Sequence, residues 1–336
     1  MVVEEGSVKF NAEVLDIVSR EMGSFYNNKM KVNRDLTIAL LKVLKPEKVG
    51  LPLAGTGVRA LRIHKELNVK NIFVNDVKKD FKKEFENNIK LNNFDKKCFT
   101  IENTEANLFL RRNRPFDYVD IDPFGSPNPF LDSAIYSLTN NSVLGVTATD
   151  TAALAGTYPK ACLRKYFSIP IKDECKHEWG LRILIRKVQL IASQYDKALI
   201  PLLSYSKDHH IKVFFKCLKK RSVVDDLLKQ HNFINNKGPF YTGPLHDPVV
   251  KKLDAEGEAG KLLDFIKEEV DFNQVGFYDL HELSSELKIP HIPRTDKVLE
   301  ILKEKGFKSC KTHISKTGIK SEINKEELKK IILQLS

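Results

Sequence analysis

The stretch Asp120-Ile121-Asp122-Pro123-Phe124-Gly125-Ser126-Pro127 holds the residue types in this chain best suited to chemistry. The carboxylate of Asp122 can accept an N–H bond from an exocyclic amine. Pro123 has no N–H and restricts the residue before it, so a backbone carbonyl can be aimed at the same group. Phe124 offers a face on which a base can stack. Together these residues form a holder for a planar amino-bearing ring. The same residues would also make a plain strand-end turn in which Asp122 caps nearby backbone.

A second set surrounds the turn Ala54-Gly55-Thr56-Gly57-Val58-Arg59. Gly55 and Gly57 let the backbone pass close to a ligand. Asp76 lies about twenty residues further on, where an acid at a strand tip accepts bonds from two ribose hydroxyls, in NAD and S-adenosylmethionine sites alike. Thr104-Glu105-Ala106-Asn107 follows a third strand, at the place where an adenine would lie. Arg34 stands in the first turn of a helix, as a clamp on a carboxylate or as a solvated charge. Arg111, Arg112 and Arg114 form a basic cluster that suits a solvated loop or a phosphate contact.

These residues need a frame, and the apolar spacing supplies one. Leu36, Ala39, Leu40, Val43 and Leu44 recur at helical spacing after Asn33, a good cap, and Pro46 closes the segment. Strands are expected at 49–53, 71–75, 99–102 and 142–149, a further short strand over the apolar residues Phe116, Tyr118 and Val119 that lead into the Asp122 turn, and a polar helix at 79–92. Residues 1–32 lack strong periodicity, and Phe25 falls in an aromatic loop there. Gly156 to Phe167 reads as a loop mixing Lys160, Arg164 and Lys165 with Tyr158 and Tyr166, which suits RNA contacts. An amphipathic helix at 177–193 precedes a hairpin of strands at 198–203 and 211–218. The pattern is α/β with a mostly parallel sheet, the fold in which ligands collect at strand ends.

Lys219-Lys220-Arg221 marks a composition shift, so the chain is divided into residues 1–221 and 222–336. In the second part helices are expected at 261–270, 280–287 and 295–305. A small β-wing at 308–319 and a row of lysines (303, 305, 308, 311, 316, 320) complete a winged-helix-like, nucleic-acid-binding pattern.

With 336 residues, 42% hydrophobic, the chain has length and apolar content for about two domains. Its net charge of +11 favours an acidic partner, nucleic acid first. No run approaches the roughly 18 apolar residues of a membrane helix. The opening residues, with Glu4 and Glu5, do not read as a signal peptide. Five scattered cysteines without a C-x-x-C pair suggest neither disulfides nor a zinc knuckle, and Cys175-Lys176-His177 reads as an ordinary thiol and histidine. A reduced, cytoplasmic location is expected.

Two function classes fit this frame: an S-adenosylmethionine-dependent methyltransferase acting on an exocyclic amine in nucleic acid, and an NAD-type oxidoreductase. Hydride transfer needs a proton relay such as His or Tyr where the Asp122 strand ends. Asp-Pro-Phe stands there instead, which favours methylation.

The strings Ala54–Arg59, Asn75-Asp76, Asp120–Pro127, Val146–Asp150, Ala161–Tyr166, Tyr205–His209 and Thr312–Lys320 resemble the tRNA guanine-26 N2-dimethyltransferase family, the archaeal members most of all. The likeness spans nearly the whole chain. It implies a class I methyltransferase, Rossmann-like fold and transfer of one and then a second methyl from S-adenosylmethionine to N2 of guanosine 26 in tRNA. It implies a C-terminal tRNA-binding domain and no obligate protein partner. By position it makes Asp122 the catalytic acid, with Pro123 and Phe124 beside it. Phe25, Arg34, Gly55, Gly57 and Arg59 would line the cofactor pocket. Asp76 would take the ribose, and Glu105 and Ala106 would frame the adenine. Relatives usually carry an acid near the position of Leu51, and many carry a cysteine zinc site before Gly238. This chain has neither, so no metal is expected.

Overall fold

The computed structural model describes residues 1–12 and 26–335. The chain opens with a hairpin of β1 (Val2–Glu5) and β2 (Val8–Asn11), turning at Gly6, whose φ of 57° suits glycine. Sequence periodicity does not reveal this hairpin, because two four-residue strands are too short to show it. The hairpin is nonetheless anchored: Val8 and Phe10 are buried, and Phe10 packs edge-on against Tyr26.

Helix α1 (Lys31–Leu44) starts two residues before the expected cap, Asn33. The Asn27 side chain caps the short turn of 3₁₀ helix (Asn28–Met30) that leads into it, and this moves the start forward. Asn33 becomes a fully buried side chain inside the helix. Then follow β3 (Lys48–Leu51), α2 (Val58–Leu67), β4 (Asn71–Asn75), α3 (Phe81–Leu91), β5 (Phe99–Glu102), α4 (Ala106–Asn113), β6 (Phe116–Ile121), α5 (Asn128–Ser137), β7 (Leu138–Ala148), α6 (Thr151–Leu154), α7 (Pro159–Tyr166), α8 (Lys176–Ser193), β8 (Ala198–Lys207) and β9 (His210–Leu218). Two expected loops are helices. Arg111 and Arg112 sit in the last turn of α4, where cations complement the helix dipole. Lys160, Arg164 and Lys165 lie on α7.

The seven strands β3–β9 form one sheet in the order β5-β4-β3-β6-β7-β9-β8. The β3–β4, β3–β6, β4–β5 and β6–β7 pairings are parallel, and β9 runs antiparallel to both its neighbours. This is the class I methyltransferase sheet. Its parallel strands all end on one edge, so their tips share a single crevice. Helices α4, α5 and α8 cover one face around Phe116, Ile121 and Ile185. Helices α1, α2 and α3 and the first hairpin cover the other around Leu36, Leu61 and Phe85.

The chain continues through α9 (Arg221–Leu228), β10 (His231–Ile234), β11 (Lys237–Tyr241) and α10 (Gly257–Glu269). Val224, Leu227, Phe240, Tyr241 and Leu245 join the first core; Val250, Leu253, Leu263 and Ile266 join the second. The break expected after Arg221 therefore falls inside continuous packing. A separate apolar cluster begins only at Leu280. It is built from β12 (Tyr278–Asp279), α11 (Leu280–Glu286), α12 (Thr295–Glu304), β13 (Ser309–Lys311), β14 (Gly318–Ser321) and α13 (Lys325–Leu335), with a three-stranded wing in the order β12-β14-β13. Helix, turn, helix and wing appear as the lysine-rich pattern predicts, but Lys320 is buried and bonds Glu178 at 3.0 Å, so it does not face outward.

Among the described residues no helix is long and apolar enough to cross a membrane. All five cysteines are free.

Candidate active site

Strand β6 is buried along almost its whole length, and alternation places Asp120 and Asp122 on one face. Between them stands Arg59, from the first turn of α2. Its guanidinium meets Asp120 at 2.9 Å and Asp122 at 2.6 Å, and donates to Thr37 Oγ1 at 2.7 Å and Asn33 Oδ1 at 3.2 Å. Lys212, near the start of β9 and fully buried, reaches Asp120 at 2.5 Å and Thr147 Oγ1 at 3.1 Å. Tyr118 donates its hydroxyl to Asp120 at 2.9 Å. Two carboxylates thus face two cations, and the buried charges balance.

Burial alone would raise the Asp122 carboxyl, but Arg59 and Lys212 outweigh it and hold it below its ordinary value. Asp122 is therefore an ionised acceptor. Its side chain remains 21% exposed, so an edge of the carboxylate stays accessible beside the ion pair. Pro123 is buried, whereas Phe124 is 45% exposed.

The turn after Asp122 is braced from two sides. Gly125, at φ 80°, donates its N–H to Thr149 Oγ1 at 2.6 Å, and its carbonyl accepts from the Thr149 N–H at 2.9 Å. Ser126 Oγ and the Tyr166 hydroxyl lie 3.0 Å apart, and Tyr166 donates to Asp150 Oδ1 at 2.7 Å. The tip of β7 and helix α7 thereby fix the turn that follows Asp122.

The residues expected to meet a nucleoside lie along the tips of β3, β4 and β5. Gly55, at φ 58°, donates its N–H to Asp76 Oδ2 at 2.8 Å, and Asp76 Oδ1 accepts from the Lys78 N–H at 3.1 Å. Gly57 has φ 77°, and a Cβ there would stand 2.2 Å from the Phe85 ring. Asn75 donates to the Pro52 and Thr104 carbonyls, each at 3.0 Å, and so ties the strand tips together. Glu105 is exposed and caps α4 through the Leu108 N–H at 2.9 Å; Ala106, the first residue of that helix, is buried.

Arg34 sits apart from this row. Glu5 holds it through a bidentate pair, Nε to Oε1 at 2.7 Å and Nη2 to Oε2, and its Nη2 also donates to the Asn27 carbonyl at 3.1 Å. Arg62 shares Glu5 at 2.8 Å. Burial pushes the Glu5 carboxyl up, but Arg34, Arg62 and Tyr26 outweigh it and bring it to about 2. Arg34 thus anchors the first hairpin. Phe25 lies outside the described residues.

A family model for N2,N2-dimethylguanosine tRNA methyltransferases matches residues 5–237 and 234–333. The chain belongs to this family. A tRNA (guanine(26)-N(2)/guanine(27)-N(2))-dimethyltransferase of Aquifex aeolicus is 36% identical over 99% of this chain and 96% of its own length. A tRNA (guanine(26)-N(2))-dimethyltransferase of Pyrococcus horikoshii is 35% identical over 91% of this chain and 92% of its own. The solved structure of Trm1 from Pyrococcus horikoshii in complex with S-adenosyl-L-methionine superposes with a TM-score of 0.90 at 32% identity and covers 99% of both chains.

Sequence reasoning singles out Asp122 and places Arg59 in a cofactor pocket, whereas the structure pairs Arg59 with Asp122; it does not single out Asp120 and Lys212, which complete the cluster. Asp120, two positions earlier on the same strand face, is one signal. Lys212 is another: a lysine between Ile211 and Val213 in a strand buried on both faces must have a partner. Tyr205 and His210 also flank the site. Both are buried, and the Tyr205 hydroxyl and His210 Nε2 have no hydrogen-bond partner among the described residues.

One cluster of possible metal-ligating groups exists among the described residues, His246, Glu269 and His313. Glu269 accepts from His313 Nδ1 at 2.8 Å and faces His246 Nε2 at 3.9 Å. The Ser204 N–H points at His246 Nδ1 from 3.4 Å, which makes Nδ1 the acceptor and Nε2 the protonated nitrogen. That tautomer offers Glu269 a donor and offers a cation no lone pair. The cluster suits a latch between α10 and the wing, in which Glu269 bonds His313 and faces His246.

Proposed function

We propose that this protein methylates the exocyclic N2 amine of guanosine 26 in tRNA, adding one and then a second methyl, with S-adenosylmethionine as donor. The observation that carries the reading is Asp122: an ionised carboxylate, locked by Arg59 yet accessible, beside the exposed ring of Phe124. In the proposal Gly55 and Gly57 let the backbone approach the cofactor, Asp76 accepts its ribose hydroxyls, and Glu105 with Ala106 frames its adenine. The fit rests on two features of this chain. Gly57 turns in a left-handed conformation where a Cβ would strike the buried Phe85 ring, which holds the loop close against the sheet, and Asp76 is half-buried at the strand tip with Oδ2 on the Gly55 N–H and Oδ1 on the Lys78 N–H. When bound, S-adenosylmethionine supplies a methyl carbon already activated by a sulfonium.

The chain's own residues supply the rest. The guanine amine is a poor nucleophile because its lone pair is spread into the ring. Asp122 accepts one N–H of that amine, orients its lone pair, and stabilises the positive charge that builds on nitrogen as the new N–C bond forms. Because Arg59 and Lys212 keep its proton affinity low, Asp122 does not retain the proton the amine loses; the proton leaves through the accessible edge. Phe124 stacks on the base, which must leave its helical stack to enter, at a cost of a few kcal/mol. Arg34 acts as a positioning residue: with Glu5 it holds the first hairpin over α1 and α2. The unit from Tyr278 to Leu335, with exposed Lys303, Lys305, Lys308 and Lys316, holds the body of the tRNA. A tRNA substrate and five free cysteines fit the cytoplasm.

Nucleoside analysis of tRNA incubated with enzyme and cofactor tests the reading, with primer extension to map the site. N2-methyl- and N2,N2-dimethylguanosine at position 26 are expected. Modification confined to another base or another position sinks it.

A further inference from the structure

Helix α7 carries two unlike faces. Cys162 and Tyr166 point inward, and Tyr166 bonds Asp150 and Ser126. On the outward side Lys160, Leu163 and Arg164 recur at i, i+3 and i+4, and Phe167, the left-handed residue that caps the helix, follows at its end. Leu163 is 47% and Phe167 63% exposed, and Tyr158, at the start of the helix, is 62% exposed. Large apolar groups left in water beside two cations are unusual on a helix that has a core to pack against. Neither Lys160 nor Arg164 has an acidic partner among the described residues, whereas Lys165, beside them, is neutralised by Asp150 at 3.0 Å.

This face is also fixed relative to the chemistry. Asn128, just after the catalytic turn, donates to the Lys165 carbonyl at 2.8 Å. Arg186 donates to the Phe167 carbonyl at 3.3 Å, and Lys187 stands over the Phe167 ring at 4.9 Å. Phe167 therefore presents a ring backed by a cation, next to the turn that carries Asp122 and Phe124.

We propose that this outward face of α7 is the RNA platform of the active site, receiving the nucleotides that flank the target guanosine. Lys160 and Arg164 take phosphates, while Tyr158 and Phe167 stack on bases exposed when the target leaves its helix. The inference rests on the tRNA reading above and deepens it. Three features favour RNA over a protein partner: unpaired cations, aromatic rings on either side of them, and contact with a catalytic turn whose substrate is a polyanion. Stacking of this kind offsets part of the cost of opening the target's neighbourhood.

The test uses the full-length enzyme and unmodified tRNA. Lys160→Gln/Arg164→Gln should raise KM for tRNA at least tenfold, and Phe167→Ala severalfold. Cofactor affinity by calorimetry and the melting temperature should stay at wild-type values. The double variant should also flatten the dependence of log(kcat/KM) on log[salt] by about 1.5, the share of two phosphates. Cross-linking from 4-thiouridine placed beside the target should label the peptide holding residues 158–167. An unchanged KM and salt slope, or labelling elsewhere only, overturns the platform while leaving the methylation reading intact. Failure of the wild-type enzyme to methylate tRNA at all overturns that reading instead. If either variant melts early, Lys160→Met alone, which keeps the stem of the side chain, carries the same KM and salt measurements.

Discussion

Removing the Asp122 carboxylate leaves Arg59 paired with Asp120 and still bonded to Thr37 and Asn33. Asp122 is the most exposed of the four charges, so Asp122→Ala should cost less stability than loss of a deeper partner, while methyl transfer should fall about 10²–10³-fold, the usual effect of losing one preorganised electrostatic contact. Single-turnover methylation beside a cofactor titration checks this; near-normal turnover would remove Asp122 from its role. Arg59 is the opposite case. Replacing it by Met strands two buried carboxylates against one lysine, and stability should drop by about 3–5 kcal/mol in chemical denaturation. The Asp122 carboxylate was legible from Asp-Pro-Phe at the end of an apolar run. The role of Arg59 was not, because it comes from a helix 63 positions away in sequence and depends on how α2 packs over β6.

At the scale of elements, apolar runs and strand-tip residues gave away the parallel sheet, since inner strands such as β3 and β6, covered on both faces, read as continuous hydrophobic stretches. Short elements stayed hidden. The first hairpin and helices α4 and α7 are four to eight residues long and gain their order from partners distant in sequence. Glu5 shows how. It has the look of a surface acid near the chain start, yet it is buried between Arg34 and Arg62. Arg34→Ala should cost several kcal/mol of stability by leaving Glu5 under-compensated, and it should weaken cofactor binding as the hairpin loosens. Melting curves with and without cofactor check both effects, and an unchanged dissociation constant would separate the hairpin from the pocket. The boundary after Arg221 misled for a similar reason: Lys219-Lys220-Arg221 is the charged entry to α9, whose Val224 and Leu227 return to the core.

For the whole molecule, several buried histidines tie stability to pH. Burial lowers His210 and His231 to about 4 each. Between their ordinary value near 6.5 and about 4, the unfolded chain takes up protons that the folded chain refuses. Their contribution is complete above about 6.5 and is lost as pH falls toward 4. His210, almost fully buried, should add a slope of up to about 1.4 kcal/mol per pH unit in that window; His231, more open to water, should add less. Denaturation at pH 7, 6 and 5 measures the slope, and Gln at position 210 should flatten it. The Glu178 carboxyl, which burial would raise but Lys320 and Arg182 bring to about 2, is lost only in stronger acid, as pH falls below about 4.5.

Glu178 lies on α8 beneath the catalytic sheet and Lys320 on the wing strand β14, and the Gln274 and Gly276 carbonyls accept from the same ammonium at 3.3 and 3.1 Å. This rivet, with Glu269 between its two imidazoles, keeps the far end of the protein from swinging. On the proposed assignment the enzyme then behaves as a caliper with fixed jaws: one closes on the nucleotide to be modified, the other rests on a distant part of the same RNA. A stem-loop trimmed to the target region would fill only one jaw and should be a poor substrate. Loosening the rivet with Lys320→Met should blur the discrimination between full and trimmed RNA more than it slows the chemistry on either.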